Sequence, residues 1–135
     1  PRVLPTVPGE ESVFHADGAV GGYVMSFDNG ISIYNTSDTR LFSDMQLIGQ
    51  MHGPQVAILP VGGKFTMGVR EAARATSYIR PDIVIPCHYG EPVGQPADID
   101  ELKAQVEFLS PNTEVVALRP GQSVTYTASS YRIGR

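Results

Sequence analysis

The chain has 135 residues, a net charge of −4 and a composition that is 41% hydrophobic and 18% charged, which suits one soluble globular domain and carries no disorder signature. The ten basic residues are scattered, which excludes a dedicated nucleic-acid or membrane surface, and no apolar run approaches the roughly 20 residues of a membrane helix. The single cysteine, Cys87, excludes an internal disulfide and fits a reducing, cytoplasmic compartment.

Residues 1–11 hold three prolines and no periodicity, so they read as an extended arm. The chain opens on Pro1, which fits either removal of an initiator Met or excision from a longer polypeptide. Ser12 to His15 reads as a short strand. A hairpin follows, Gly22 to Phe27 and Ile31 to Asn35, because Asn29-Gly30 supplies the positive-φ positions of a tight reversal. Tyr23, Met25 and Phe27 alternate with Val24 and Ser26, giving the first strand two unequal faces. Leu41, Met45, Ile48 and His52 recur at helical spacing and stop at Gly53-Pro54. Val56 to Pro60 and Ile83 to Pro86 are unbroken apolar runs, the mark of strands buried on both faces. Between them Val69, Ala72, Ala73, Thr76 and Ile79 form the stripe of a helix that Pro81 terminates. Asp98 with Glu101 starts a third helix in a capping-box pattern, and Ile99, Leu102, Val106 and Leu109 form its apolar face. Glu114 to Leu118 and Ser123 to Thr127 read as two closing strands around Pro120-Gly121. The order predicts an α/β (α+β) domain over 12–128, a mixed sheet with helices on one face, and a tail over 129–135. Such a sheet leaves its second face apolar and in need of cover.

Three residues able to bind a metal sit just past apolar runs: His15, Asp38 and His88. His88 follows a buried strand, the place where α/β folds put ligand-binding groups, though a histidine there can simply cap the sheet edge. Asp38, flanked by Ser37 and Thr39, suits a bridging metal ligand or the N-cap of the helix near Leu41. His15 suits a metal or a surface loop. His52 follows from the helix dipole and needs no chemistry. Cys87 adjoins His88 but should point to the opposite face, which makes it core filler rather than a ligand. Gly62-Gly63 lacks the following Gly-Lys-Ser/Thr of a phosphate loop, and Glu91 reads as a solvated carboxylate.

Together these segments resemble a known family. Gly22-Tyr23-Val24 with Ile33 to Met45, then Leu59-Pro60-Val61-Gly62-Gly63-Lys64-Phe65-Thr66-Met67-Gly68, then Ile85-Pro86-Cys87-His88-Tyr89-Gly90, look like the metallo-β-lactamase superfamily of metal-dependent hydrolases. More narrowly, they resemble its small bacterial branch of predicted zinc-dependent hydrolases, over about residues 12 to 120. The resemblance implies the C-terminal half of an αββα sandwich, with His15, Asp38 and His88 as metal ligands, Asp38 and His88 as catalytic groups, and Thr39 and Tyr89 in support. It implies Zn2+ or Mn2+, dinuclear in the complete site and weak or absent in this chain alone. The His-x-His-x-Asp-His segment of the family's N-terminal half is missing, and Ser37 replaces the usual glycine before the aspartate. The expected partners are therefore an N-terminal half, on a separate chain or a precursor, or a second copy, together with a small-molecule substrate. The expectation is a metal-dependent hydrolase half, inactive in isolation. The competing readings are a truncated noncatalytic relative that self-associates and a binding module.

Overall fold

A computed structural model describes residues 21–128 and 130–134, with Pro92 and 130–134 as backbone only. The expected arm over 1–11, the strand at 12–15 and His15 lie outside the described residues.

The elements run β1 (Tyr23–Ser26), β2 (Ser32–Asn35), α1 (Met45–His52), β3 (Val56–Pro60), α2 (Val69–Ile79), β4 (Ile83–Cys87), α3 (Ile99–Leu109), β5 (Glu114–Val115), β6 (Ser123–Thr127) and β7 (Ser130–Gly134). β1 to β5 form one sheet in sequence order, with β1 antiparallel to β2 and the other pairings parallel. It is the expected mixed sheet, and all three helices pack on one face.

The strand alternation explains the layering. Tyr34, Ala57, Leu59, Val84 and Val115 point to the helix side, where Met45, Ala72, Ala73, Ile79, Leu102 and Val106 complete a closed core. Ile33, Val56, Ile83 and Ile85 point the other way. On β1, Val24 packs on the helix-side core, while Tyr23 and Met25 stay exposed on the second face, as their alternation predicts. Gly30, at φ 81, closes the hairpin.

The helix boundaries follow from their ends. Gly53, at φ 50, caps α1 through a bond from its N–H to the Gly49 carbonyl. Asp98 caps α3 by accepting the Glu101 N–H at 2.9 Å. The reciprocal half of the expected capping box is absent because the Glu101 carboxylate turns to Arg70, 3.1 Å away. α1 starts at Met45 rather than near Leu41, since Phe42 to Asp44 form a turn first.

The end of the chain departs from expectation. The two closing strands do not pair with each other: β5 extends the sheet parallel to β4, and β6 pairs with β7. Residues 130–134 are thus a strand and not a tail. Pro120 and Gly121 (φ 86) carry the chain away from the sheet edge, and alternating residues of β6 then turn Val124 and Tyr126 onto the second face. The Tyr126 hydroxyl donates a short hydrogen bond to the Asp82 carboxylate, just before β4. The hairpin so covers Val56 and Ile83, the first residues of β3 and β4. Beyond it the face stays open as an apolar hollow of about 330 Å3 among Phe27, Ile33, Ile58 and Ile85.

Gly49 sets the spacing of α1 and α2. A Cβ there would lie 2.7 Å from the Ile79 carbonyl and 2.8 Å from that of Tyr78, both backbone atoms that cannot swing away. Gly49→Ala is expected to lower stability by about 1–3 kcal/mol through overpacking. Urea unfolding checks this, and a midpoint equal to the parent's contradicts it.

Candidate metal centre

β2, β3 and β4 are parallel, so their C-terminal ends share one edge of the sheet. Hydrogen bonds carry the alignment past the strands: Thr36 N–H donates to the Ile58 carbonyl (3.2 Å) and Val61 N–H to that of Cys87 (3.0 Å). Asp38 lies three residues past β2 and His88 one residue past β4, and they meet there, with His88 Nδ1 3.0 Å from Asp38 Oδ1. The contact is too misaligned for a ring hydrogen bond, and Nδ1 is buried with no hydrogen-bond partner among the described residues. The contact sets side by side two groups, an imidazole and a carboxylate, that are each able to bind a cation.

Both donors are presented by left-handed backbone. Ser37 has φ 59 and His88 φ 53, a conformation that costs a non-glycine residue about 1–2 kcal/mol. Ser37, which replaces the family's usual glycine, thus takes the conformation a glycine adopts readily. Asn35 supports it: its side-chain Oδ1 accepts the Ser37 N–H at 2.9 Å, an Asx turn. Thr36, fully buried, donates its hydroxyl to the Ile58 carbonyl at 3.2 Å. The N-cap reading of Asp38 falls, because the N-cap of α1 is Asp44.

Thr39 braces the turn through its backbone: its N–H donates to the Ser37 carbonyl (3.0 Å) and its carbonyl accepts the Met67 N–H (3.1 Å). Tyr89 packs against the helix-side core, and its hydroxyl bonds neither Asp38 nor His88. His52 is an exposed residue in the last turn of α1, and Glu91 opens an exposed 3-10 turn. Cys87 is half-buried on the strand face that continues Ile83 and Ile85. Alternation should have separated it from His88, yet the left-handed step at His88 brings Asp38 to both. Burial pushes the Cys87 thiol up to about 11, and the Asp38 charge adds to the rise. Among the described residues no three His, Cys, Asp or Glu side chains group as a metal site.

Sequence reasoning missed Gln95. It is 5% exposed, its backbone bridges Gly90 to close the loop after His88, and its Oε1 is buried without a partner. It fits only because Gly62 has no side chain: a Cβ there would sit 2.4 Å from the His88 carbonyl and 2.5 Å from Gln95 Oε1. No local pattern marks it, since its partners come from other loops. A cavity of about 570 Å3 lies away from this edge, around Arg80, Pro81 and Asn112, and is lined by neither Asp38 nor His88.

Residues 6–88 match the family model of the β-lactamase superfamily domain. The chain belongs to the metallo-β-lactamase superfamily. It is 47% identical over 116 residues to a UPF0173 metal-dependent hydrolase of Methanopyrus kandleri, covering 84% of this chain and 49% of that protein. A second UPF0173 metal-dependent hydrolase, from Staphylothermus marinus, is 47% identical over 109 residues, covering 81% and 47%. Among solved structures, Igni18, a metallo hydrolase from the hyperthermophilic archaeon Ignicoccus hospitalis, superposes with a TM-score of 0.63 at 35% identity, covering 81% of this chain and 43% of that one. This superfamily likeness therefore reaches beyond bacteria. The chain spans about half the length of the relatives it matches.

A thiol raised to about 11 is protonated at pH 8, with a thiolate fraction on the order of one in a thousand. Iodoacetamide should therefore alkylate Cys87 slowly at pH 8, with the rate climbing to beyond pH 10. Asp38→Asn should shift that climb to lower pH. A plateau already reached by pH 9 in the parent would contradict the assignment.

Proposed function

We propose that this chain is the C-terminal half of a metal-dependent hydrolase, and that Asp38 and His88 are its contribution to a metal site completed by an N-terminal half. The convergence of His88 Nδ1 and Asp38 Oδ1 at one sheet edge, with the imidazole nitrogen unpartnered, carries the reading. Neutral imidazole and carboxylate are both donors to Zn2+, and the second carboxylate oxygen of Asp38 leaves room for a bridging role. His15 is proposed as the third donor from this half, on the resemblance alone. Zn2+ or Mn2+, as a dinuclear pair, is the proposed cofactor. A bound divalent cation supplies Lewis acidity and a water that ionises near neutral pH.

The chain's own residues have defined tasks. His88 offers a nitrogen lone pair. Asp38 brings the negative charge, and its carboxylate can accept a proton from an attacking water. Ser37 and Asn35 hold Asp38 in place. Without a metal, burial and the Asp38 charge keep the Cys87 thiol protonated at neutral pH. The open second face of the sheet is the proposed seat of the N-terminal half, since Tyr23, Met25 and Phe27 remain exposed there and the relatives are about twice as long. A small-molecule substrate would enter at the edge between the halves. Among the described residues no helix is long and apolar enough to cross a membrane, and a cytoplasmic setting is proposed from the lone, reduced cysteine.

A second reading draws on the same observation. The same apolar face suits a noncatalytic homodimer, which native mass separates from the first.

Expressed alone, the chain should bind zinc weakly and show no metal-dependent turnover of phosphodiesters or lactones, because its three proposed donors would have to serve a dinuclear site built from about twice that number. Pairing with an N-terminal half that carries His-x-His-x-Asp-His should restore both, and His88→Ala should then abolish them. Elemental analysis and turnover on the isolated chain and the pair test this. Stoichiometric zinc with turnover by the isolated chain would overturn it, and a metal-free dimer unmoved by the N-terminal half would favour the second reading.

A further inference from the structure

The loop between β3 and α2 holds a feature that packing does not explain. Its ends close on each other: Gly63 N–H donates to the Met67 carbonyl at 3.0 Å, and a Cβ on Gly63 would touch the Gly68 Cα at 3.6 Å. Thr66 and Met67 are completely buried, so the tip is pinned from below. Phe65, between them and Lys64, is nevertheless 70% exposed. Lys64 lies beside it, with Nζ 5.3 Å from the ring centroid, and no carboxylate among the described residues pairs with that ammonium.

The tip is also tied to both candidate donors. Met67 N–H bonds the carbonyl of Thr39, the residue after Asp38, at 3.1 Å. Val61 N–H bonds the carbonyl of Cys87, the residue before His88, at 3.0 Å. A loop that holds an aromatic ring and an uncompensated cation out of the core, with its two ends bonded to the residues next to the candidate donors, is built to meet a ligand.

We infer that Phe65 and Lys64 form one wall of the substrate site and select an organic anion with a flat, aromatic or heterocyclic group next to its charge. This rests on the proposed metal site at Asp38 and His88. The ring of Phe65 takes the flat group by stacking, and the Lys64 ammonium takes the anionic group beside the metal. The two residues are specificity determinants; neither takes part in bond breaking.

The test uses the full-length, zinc-loaded protein and two non-hydrolysable probes, phenylphosphonate and methylphosphonate, with affinities from calorimetry. The parent should bind phenylphosphonate at least tenfold more tightly than methylphosphonate. Phe65→Ala should erase that preference with zinc content and methylphosphonate affinity unchanged, and Phe65→Tyr should keep it. Lys64→Ala should weaken both probes threefold or more. A parent that binds zinc but shows no phenyl preference, or a Phe65→Ala protein that retains the preference, overturns the inference and leaves the metal site standing. A Phe65→Ala protein that loses only thermal stability would make Phe65 a contact between the two halves, and also overturns it. A parent that binds no zinc would overturn the proposed function and this inference with it.

Discussion

The parallel register of β2, β3 and β4 is the constraint on which the rest depends. Pairing Asn35 with Ile58 and Pro60 with Cys87 brings three strand ends to one edge, so the segments after them meet although about 50 residues separate Asp38 from His88. A slip of one residue in either pairing would turn Val56 and Ile83 toward the helices and Ala57 and Val84 away from them. The closed helix-side core makes that costly. The packing of α1 to α3 thus fixes the geometry of the site from behind, with no helix residue taking part in it.

At that edge, order comes from backbone and not from side-chain bulk. The left-handed steps at Ser37 and His88 each cost energy, and each is braced: Ser37 by Asn35, His88 by the Gly90–Gln95 bridge and by Gly62 packed on its carbonyl. Among the described residues, positive φ outside glycine occurs at these two positions and at Arg80, which ends α2.

Much of this was legible in the sequence. The unbroken runs at 56–60 and 83–86 marked the buried strands, and the alternation over 23–27 marked a strand with one open face. Gly53 and Asp98 marked helix ends through their backbone needs. Three things were not legible. The partner of β6 was misread because Ser123 to Thr127 alternates cleanly enough to pair with any neighbour, and register is a nonlocal property. Cys87 was placed away from the site because alternation assumes extended backbone, which His88 abandons. Gln95 was invisible, since what buries it is the missing side chain of Gly62, 33 residues earlier. Asp38 and His88 stood out by position, yet discarding the cap reading of Asp38 needed the helix start at Met45.

The sheet's second face joins the fold to the function. The β6–β7 hairpin shields Val56 and Ile83, and beside it an apolar hollow among Phe27, Ile33, Ile58 and Ile85 leaves part of that face open to a second layer. One measurement bears most directly on this account: anomalous diffraction at the zinc edge from crystals of the full-length, zinc-loaded protein. The account predicts a peak within coordination distance, about 2.0–2.2 Å, of a His88 ring nitrogen and an Asp38 carboxylate oxygen. Zinc bound elsewhere, with His88 and Asp38 paired to each other, would contradict it.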